Sequence, residues 1–116
     1  MPKTSTKSHP IFGIWNIVSM TTWDEDYFNE EQQAFIEFKD KGRGEFHFGY
    51  VHGDMDYRQT ERDGEPAVEW TWEGNDEMDA VQGRGWVVLK GKELHGMLFF
   101  HQGEESGFVA KRSKRK

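Results

Sequence analysis

Residues 55–72 read MDYRQTERDGEPAVEWTW, and the central Asp63-Gly64 dipeptide is typical of a two-residue β-hairpin turn. Such a turn fixes which residues face each other, because the numbers of facing residues then have a constant sum. Charges meet charges and rings meet rings in this register. The facing pairs are Arg58 with Glu69, Tyr57 with Trp70 and Met55 with Trp72. The stretch therefore predicts an antiparallel hairpin with one apolar face and one polar face.

The same reasoning extends to the strands before this hairpin. A turn at His52-Gly53 and a three-residue loop at 41–43 keep aromatic side chains on one face of the sheet. The predicted pairs are His47 with Arg58, Phe48 with Tyr57, Ile36 with Phe48, and Phe38 with Phe46. The shared apolar face then consists of Ile36, Phe38, Phe46, Phe48, Tyr50, Met55, Tyr57, Val68, Trp70 and Trp72. The opposite face carries a polar row, interpreted as a solvated exterior ladder: Glu37, His47, Arg58 and Glu69.

Turn signals recur about every ten to twelve residues along the whole chain, a spacing typical of all-β sandwiches and barrels. Eight strands are predicted, at about 11–19, 33–40, 43–51, 54–62, 66–73, 80–90, 93–101 and 106–112. Because sequential antiparallel strands lose their free edges when the last pairs with the first, we expect a closed up-and-down barrel. The one long connection follows strand one, and its run of acidic residues at 24–26 favours a short helix there. The predicted organisation is a leader (1–10), a barrel domain (11–112) and a basic tail (113–116).

The hairpin around Gly91-Lys92 is apolar on both faces. On one face, Gly83 and Gly85 lie opposite bulky side chains, as the sharp bending of a small barrel requires. The other face carries Trp86, Met97 and Phe99. Contiguous apolar patches are uncommon on soluble monomers. We therefore expect these three residues to lie outside the barrel and to be covered by a second copy of the chain in a homodimer.

Composition limits the classes of function. The 116-residue chain is 34% hydrophobic and 15% aromatic, which favours a single core built from bulky rings. Its net charge of −6 disfavours binding to nucleic acid, although the tail is basic. It has no cysteine, no apolar run long enough to span a bilayer and no secretory signal pattern. These features predict a cytoplasmic protein without membrane or nucleic-acid partners.

The sequence carries no recognisable catalytic motif. No phosphate-binding glycine loop or nucleophile elbow is present, and the acidic run at 73–79 lacks EF-hand spacing. Among the five histidines, only His95 and His101 fall on one strand face, and they are too far apart to share a metal ion. The expectation is a protein that is not an enzyme and has no metal site and no cofactor.

One local pattern suggests a family. The Gly13-x-Trp15 motif at the start of strand one, the loop after it and Arg112 near the end of strand eight resemble the lipocalin-like, or calycin, barrels. The resemblance implies that Trp15 caps one end of the barrel and packs against Arg112, around a pocket for a small apolar ligand.

The leading functional hypothesis is therefore non-catalytic binding of a small apolar or aromatic molecule inside the barrel. The wall residues would be Phe38, Phe46, Phe48, Tyr50, Tyr57, Trp70 and Trp72. The alternative is an interaction protein that homodimerises through its outer aromatic face, with rings filling the barrel interior.

Overall fold

The computed structural model describes residues 10–113, which form a closed barrel of eight antiparallel strands in sequential order. The strands are β1 (Gly13–Met20), β2 (Phe35–Phe38), β3 (Arg43–Phe48), β4 (Val51–Arg62), β5 (Glu65–Asp76), β6 (Asp79–Lys90), β7 (Glu93–Phe100) and β8 (Glu105–Arg112). A short helix, α1 (Glu25–Phe28), follows β1, and a 3-10 turn (Asp40–Gly42) joins β2 to β3. The predicted up-and-down barrel is thus confirmed, as is the short helix after its first strand.

Two hairpins have the predicted register. In the β4–β5 hairpin, Asp63 and Gly64 take positive φ angles of 53° and 81°, which the primed two-residue turns require. Tyr57 faces Trp70 as expected. In the β6–β7 hairpin, Trp86 faces Met97. Turn chemistry and strand alternation are therefore sufficient to place these four strands.

The predicted turn at His52-Gly53 is wrong, since β3 and β4 are joined at Gly49 and Tyr50 instead. Gly49 has a φ of +57°, and a Cβ there would lie 2.5 Å from ring carbons of Tyr27, so only glycine lets α1 pack against this turn. His47 consequently faces His52 rather than Arg58.

The β2–β3 register differs from the prediction as well. Ile36 faces Phe46, and Phe38 faces Gly44. In both the β2–β3 and the β3–β4 hairpin, the observed partner of a residue lies an even number of residues from the predicted one. Because strand side chains alternate with a period of two, the apolar residues still point inward. The predicted polar ladder does not form one row, since Glu37 faces Glu45, whereas Arg58 faces Glu69 two rungs away.

The termini of the described chain join the barrel. Ile11 is buried, and the backbone N–H of Ser113 donates a hydrogen bond to the carbonyl of Ile14 at 2.9 Å. Residues 1–9 of the predicted leader and 114–116 of the predicted tail lie outside the described residues. Between residues 10 and 113, no helix has the length and hydropathy needed to cross a membrane.

Candidate functional site

Aromatic rings fill the barrel interior. Phe38 packs edge-on against Tyr57 with ring centroids 5.3 Å apart, and Phe46 packs likewise against Trp72 at 4.9 Å. Edge-to-face contacts at these distances are the arrangement that aromatic pairs prefer. All but one of the predicted wall residues are buried here, namely Phe38, Phe46, Phe48, Tyr57, Trp70 and Trp72. The rings that would line a ligand pocket thus pack against one another.

Tyr50, the remaining predicted wall residue, lies elsewhere. It occupies the β3–β4 turn, and its ring packs against Tyr27 of α1 with centroids 6.2 Å apart. Alternation places a side chain only within a paired strand, and Tyr50 lies just beyond the end of β3. Tyr50 is therefore part of the end of the barrel that α1 covers.

Polar atoms of the barrel interior differ in whether they have a hydrogen-bond partner. The hydroxyl of Tyr57 donates to the backbone carbonyl of Lys39, and burial raises the pKa of this phenol above its ordinary value. The indole N–H of Trp72 donates to the carbonyl of Phe99 at 3.3 Å. Trp70 differs, because its Nε1 is buried without a hydrogen-bond partner. An unsatisfied buried donor costs about 1–3 kcal/mol, so the Trp70 Nε1 atom favours a bound acceptor in the core.

Trp15 and Arg112 meet where β1 pairs with β8. They face each other across the two strands, and the guanidinium carbon of Arg112 lies 4.0 Å from the centroid of the Trp15 ring. The guanidinium donates hydrogen bonds to the carbonyls of Phe12 and Pro10, the latter at 2.7 Å. The expected stack is present. Gly13 makes room for it, since a Cβ at this position would lie 2.7 Å from Nη1 of Arg112.

The outer aromatic face, defined as Trp86, Met97 and Phe99, points away from the core. Its members alternate with inward-facing Val87 and Leu98, which are fully or almost fully buried. All three are half-buried. Two adjoining grooves, of about 750 and 510 Å³, border this face and share Arg84 in their walls.

Arginines lie against this face without carboxylate partners. The guanidinium carbon of Arg62 lies 3.9 Å from the Trp86 ring centroid, and that of Arg84 lies 5.2 Å from the Phe99 ring centroid. Within residues 10–113, neither arginine forms an ion pair, and the same holds for Arg58. The nearby carboxylates of Asp56, Glu69 and Glu105 are equally unpaired over the described range. The face thus combines an aromatic centre with charges of both signs that form no ion pairs within the described residues.

A second group of polar side chains lies on the outer face of the β3–β4 hairpin. His47 faces His52, and Glu45 faces Asp54 on the next outward-facing rung. His52 Nε2 lies 3.0 Å from Glu45 Oε1, while Lys39 Nζ lies 3.2 Å from Glu45 Oε2. The hydrogen bond from His52, together with the Lys39 ammonium, holds the pKa of Glu45 below its ordinary value. Glu45 is therefore ionised at neutral pH.

Sequence reasoning missed this group because it placed His52 in a turn. The signal that could have found it is Gly49, since the first position of a two-residue turn favours a glycine with positive φ. A two-residue turn at Gly49-Tyr50 places His47 directly opposite His52.

These observations define an eight-stranded antiparallel β-barrel with an aromatic-filled interior, an outer aromatic face bordered by charged residues, and a polar group on the β3–β4 hairpin. Searches with this chain found no match among protein-family models, curated proteins or solved structures.

Proposed function

We propose that this chain is a non-catalytic interaction protein that forms a homodimer through its outer aromatic face. The observation that carries the proposal is the outward orientation of Trp86, Met97 and Phe99 on a barrel whose interior rings already pack against one another. Aromatic residues and Met are enriched at the centres of protein interfaces, as is arginine. A surface with this composition is suited to a protein partner.

The charges around this face favour a second copy as that partner. In a two-fold interface, residue i of one subunit meets residue j of the other, and j meets i in return. Arg58, Arg62 and Arg84 lack ion pairs among the described residues, as do the neighbouring carboxylates Asp56, Glu69 and Glu105. A face that carries unpaired groups of both signs can complement itself when rotated onto a copy.

The size of the face is also adequate. Strands β4 to β7 are 8 to 12 residues long. At a strand spacing of about 4.8 Å and a rise of about 3.3 Å per residue, the outer surface of these four strands has roughly 700 Å² of projected area. This is close to the ~800 Å² of accessible surface that each partner buries in a standard interface.

The test replaces the centre of the face by charges of opposite sign. Sedimentation equilibrium of the unmutated chain should give the mass of a dimer, and the double variant Trp86→Lys/Phe99→Glu should give a folded monomer. Met78→Lys is the matched control, because Met78 is a 97% exposed apolar residue of the β5–β6 turn, away from the aromatic face. A monomer before mutation, or a dimer that survives the double substitution, would contradict the proposal.

A second candidate function is binding of a small apolar ligand inside the barrel, and the unpartnered Nε1 of Trp70 favours it. A ligand with one acceptor atom would satisfy this donor while its apolar part packs among Phe38, Phe46 and Trp72. The Trp15–Arg112 stack and the sequential eight-stranded topology support a relation to lipocalin-like barrels. This resemblance implies a pocket for a small apolar ligand. Binding would require the interior rings to rearrange.

An apolar fluorescent probe distinguishes the two functions. If the interior binds, the monomeric Trp86→Lys/Phe99→Glu variant keeps its affinity for the probe, whereas Trp70→Phe weakens it. If only the outer face attracts the probe, the double variant loses the fluorescence signal and Trp70→Phe has no effect.

A further inference from the structure

We infer that the outer face of the β3–β4 hairpin binds a first-row transition-metal dication through Glu45, His52 and Asp54, with His47 as the fourth ligand. These four residues occupy two adjacent outward-facing rungs of the hairpin, one rung with two histidines and one with two carboxylates. The metal would lie over the middle of this square.

The distances suit a small cation. One ligand atom from each of Glu45, His52 and Asp54 lies within 4.8 Å of the other two, and the Glu45–His52 pair is at 3.0 Å. Tetrahedral zinc with bonds of about 2.0–2.1 Å holds its nitrogen and oxygen ligands roughly 3.4 Å apart. Small side-chain rotations on a fixed backbone therefore bring the three atoms to bonding distance.

His47 supplies an independent observation. It is only 9% exposed, and its buried Nε2 makes no hydrogen bond, although Oε1 of Glu31 lies 3.2 Å away. His47 Nε2 is not among the ligand atoms that lie within 4.8 Å of one another, so its ring must turn from Glu31 toward His52 to reach the same ion. The ring centroids of His47 and His52 are 6.3 Å apart, so this turn is a local one.

Electrostatics favours a cation at this place. Four carboxylates follow one another across neighbouring strands, because Glu45 faces both Glu37 and Asp54, and Asp54 also faces Glu73. Like charges directly opposite each other destabilise a sheet, and a bound dication offsets their repulsion. Lys39 contacts Oε2 of Glu45, which leaves Oε1 for the metal and fixes the carboxylate, as outer partners of metal ligands do.

The ligand types select the metal. Imidazole nitrogen suits zinc and other first-row transition metals, whereas calcium and magnesium prefer sites made of oxygen atoms alone. Zn²⁺ is the appropriate probe.

The chain offers a close internal comparison. On the β7–β8 side, His95 Nε2 lies 3.0 Å from Glu93 Oε1, and Lys111 Nζ lies 3.6 Å from Glu93 Oε2. This reproduces the Lys39–Glu45–His52 arrangement without a third ligand. Within residues 10–113, no other group of three such ligand atoms is as close as the one at Glu45.

The test is a calorimetric titration of the metal-stripped full chain with Zn²⁺ at neutral pH. We expect one site per chain, and we expect His52→Ala to weaken it at least tenfold while His95→Ala leaves it unchanged. Asp54→Asn should also weaken the site. Asp54 is exposed, so the fold should survive the change, and matching melting curves of the metal-free variants would verify this.

Replacement of Zn²⁺ by Co²⁺ gives a second measurement. An intense visible absorption band, as tetrahedral cobalt shows, should appear with the unmutated chain and disappear with His47→Gln and His52→Ala. The inference is overturned if no Zn²⁺ binds, if His52→Ala binds as tightly as the unmutated chain, or if His95→Ala weakens binding to the same extent.

Discussion

The two ends of the barrel are closed by different kinds of structure. At one end, Trp15 is 2% exposed and lies on a strand paired on both sides, with Ile36 of β2 and Arg112 of β8 opposite it. At the other end, the half-buried Trp23 and the one-turn helix α1 lie over the last rings of the core. Trp23 contacts Phe48 with ring centroids 5.1 Å apart.

This difference indicates which end of the barrel opens more easily. Trp15 cannot leave its position unless β1 separates from both neighbouring strands. The helix is held by fewer bonds, including one from the N–H of Gly49 to the carbonyl of Phe28 at 2.8 Å and the cap that Asp24 provides. Local opening is easiest where few interactions hold a segment. The helix end should therefore open before the barrel unfolds, whereas the Trp15 end should open only with global unfolding.

The largest effect is expected at the strand-built end. Trp15→Ala should lower the free energy of unfolding by about 3–5 kcal/mol, because it removes a large buried ring and leaves a cavity. Trp23→Ala should cost at most about half of that, since Trp23 is partly exposed. Urea denaturation of both variants measures the contrast. Equal losses in the free energy of unfolding would show that the two ends contribute alike to stability and would contradict the proposed difference between them.

A smaller effect tests why a glycine precedes Trp15. Gly13→Ala should cost about 1–3 kcal/mol, because Gly13 has a φ of +111° and its new Cβ would displace Arg112 from the ring. Gly91→Ala is the matched control, since Gly91 also has a positive φ, of 64°, but nothing lies within 4 Å of its added Cβ. The excess cost at Gly13 in the same denaturation assay reports the Arg112 contact together with the greater backbone strain of its larger φ angle. No excess would mean that the arginine moves aside freely and that the backbone at Gly13 tolerates a side chain as well as that at Gly91.

The smallest effect is expected at the helix end. The side chain of Asp24 accepts a hydrogen bond from the N–H of Tyr27 at 3.1 Å, and loss of such a cap costs about 1 kcal/mol. Asp24→Ala should therefore speed hydrogen exchange at the α1 amides while changing the global unfolding midpoint little. Asp26→Ala removes the same charge from the same turn without removing the cap, and it should have less effect. Equal acceleration by both variants would attribute the effect to charge alone.

Much of the fold could be predicted because turn chemistry is local. Asp63-Gly64 and Gly91 specify their hairpins through backbone angles that few other residues adopt, and both registers are correct. The β3–β4 hairpin contained two plausible glycine turns only a few residues apart. The Gly49 turn also packs against the ring of Tyr27. Tyr27 belongs to α1, which lies outside the hairpin, so the sequence of the hairpin alone does not reveal this contact.

The candidate sites were predictable to different degrees. The outward position of Trp86, Met97 and Phe99 follows from a two-residue period and one correct turn. The group around Glu45 and His52 depends on the register of β3 with β4, and an error of six residues in that register separates its members. Burial patterns are insensitive to even shifts, whereas a metal site needs its atoms within a few ångströms of one another.

The sequence by itself determined the strands, the inward and outward faces and the residue types that close the barrel, because these depend on alternation and on the backbone angles of short turns. Only the tertiary structure decided that Arg112 lies over Trp15. It likewise decided that the interior rings pack against one another, and that two histidines and two carboxylates share one hairpin face. The physical reason is that these arrangements join residues through the closure and register of the whole sheet, which no single turn specifies.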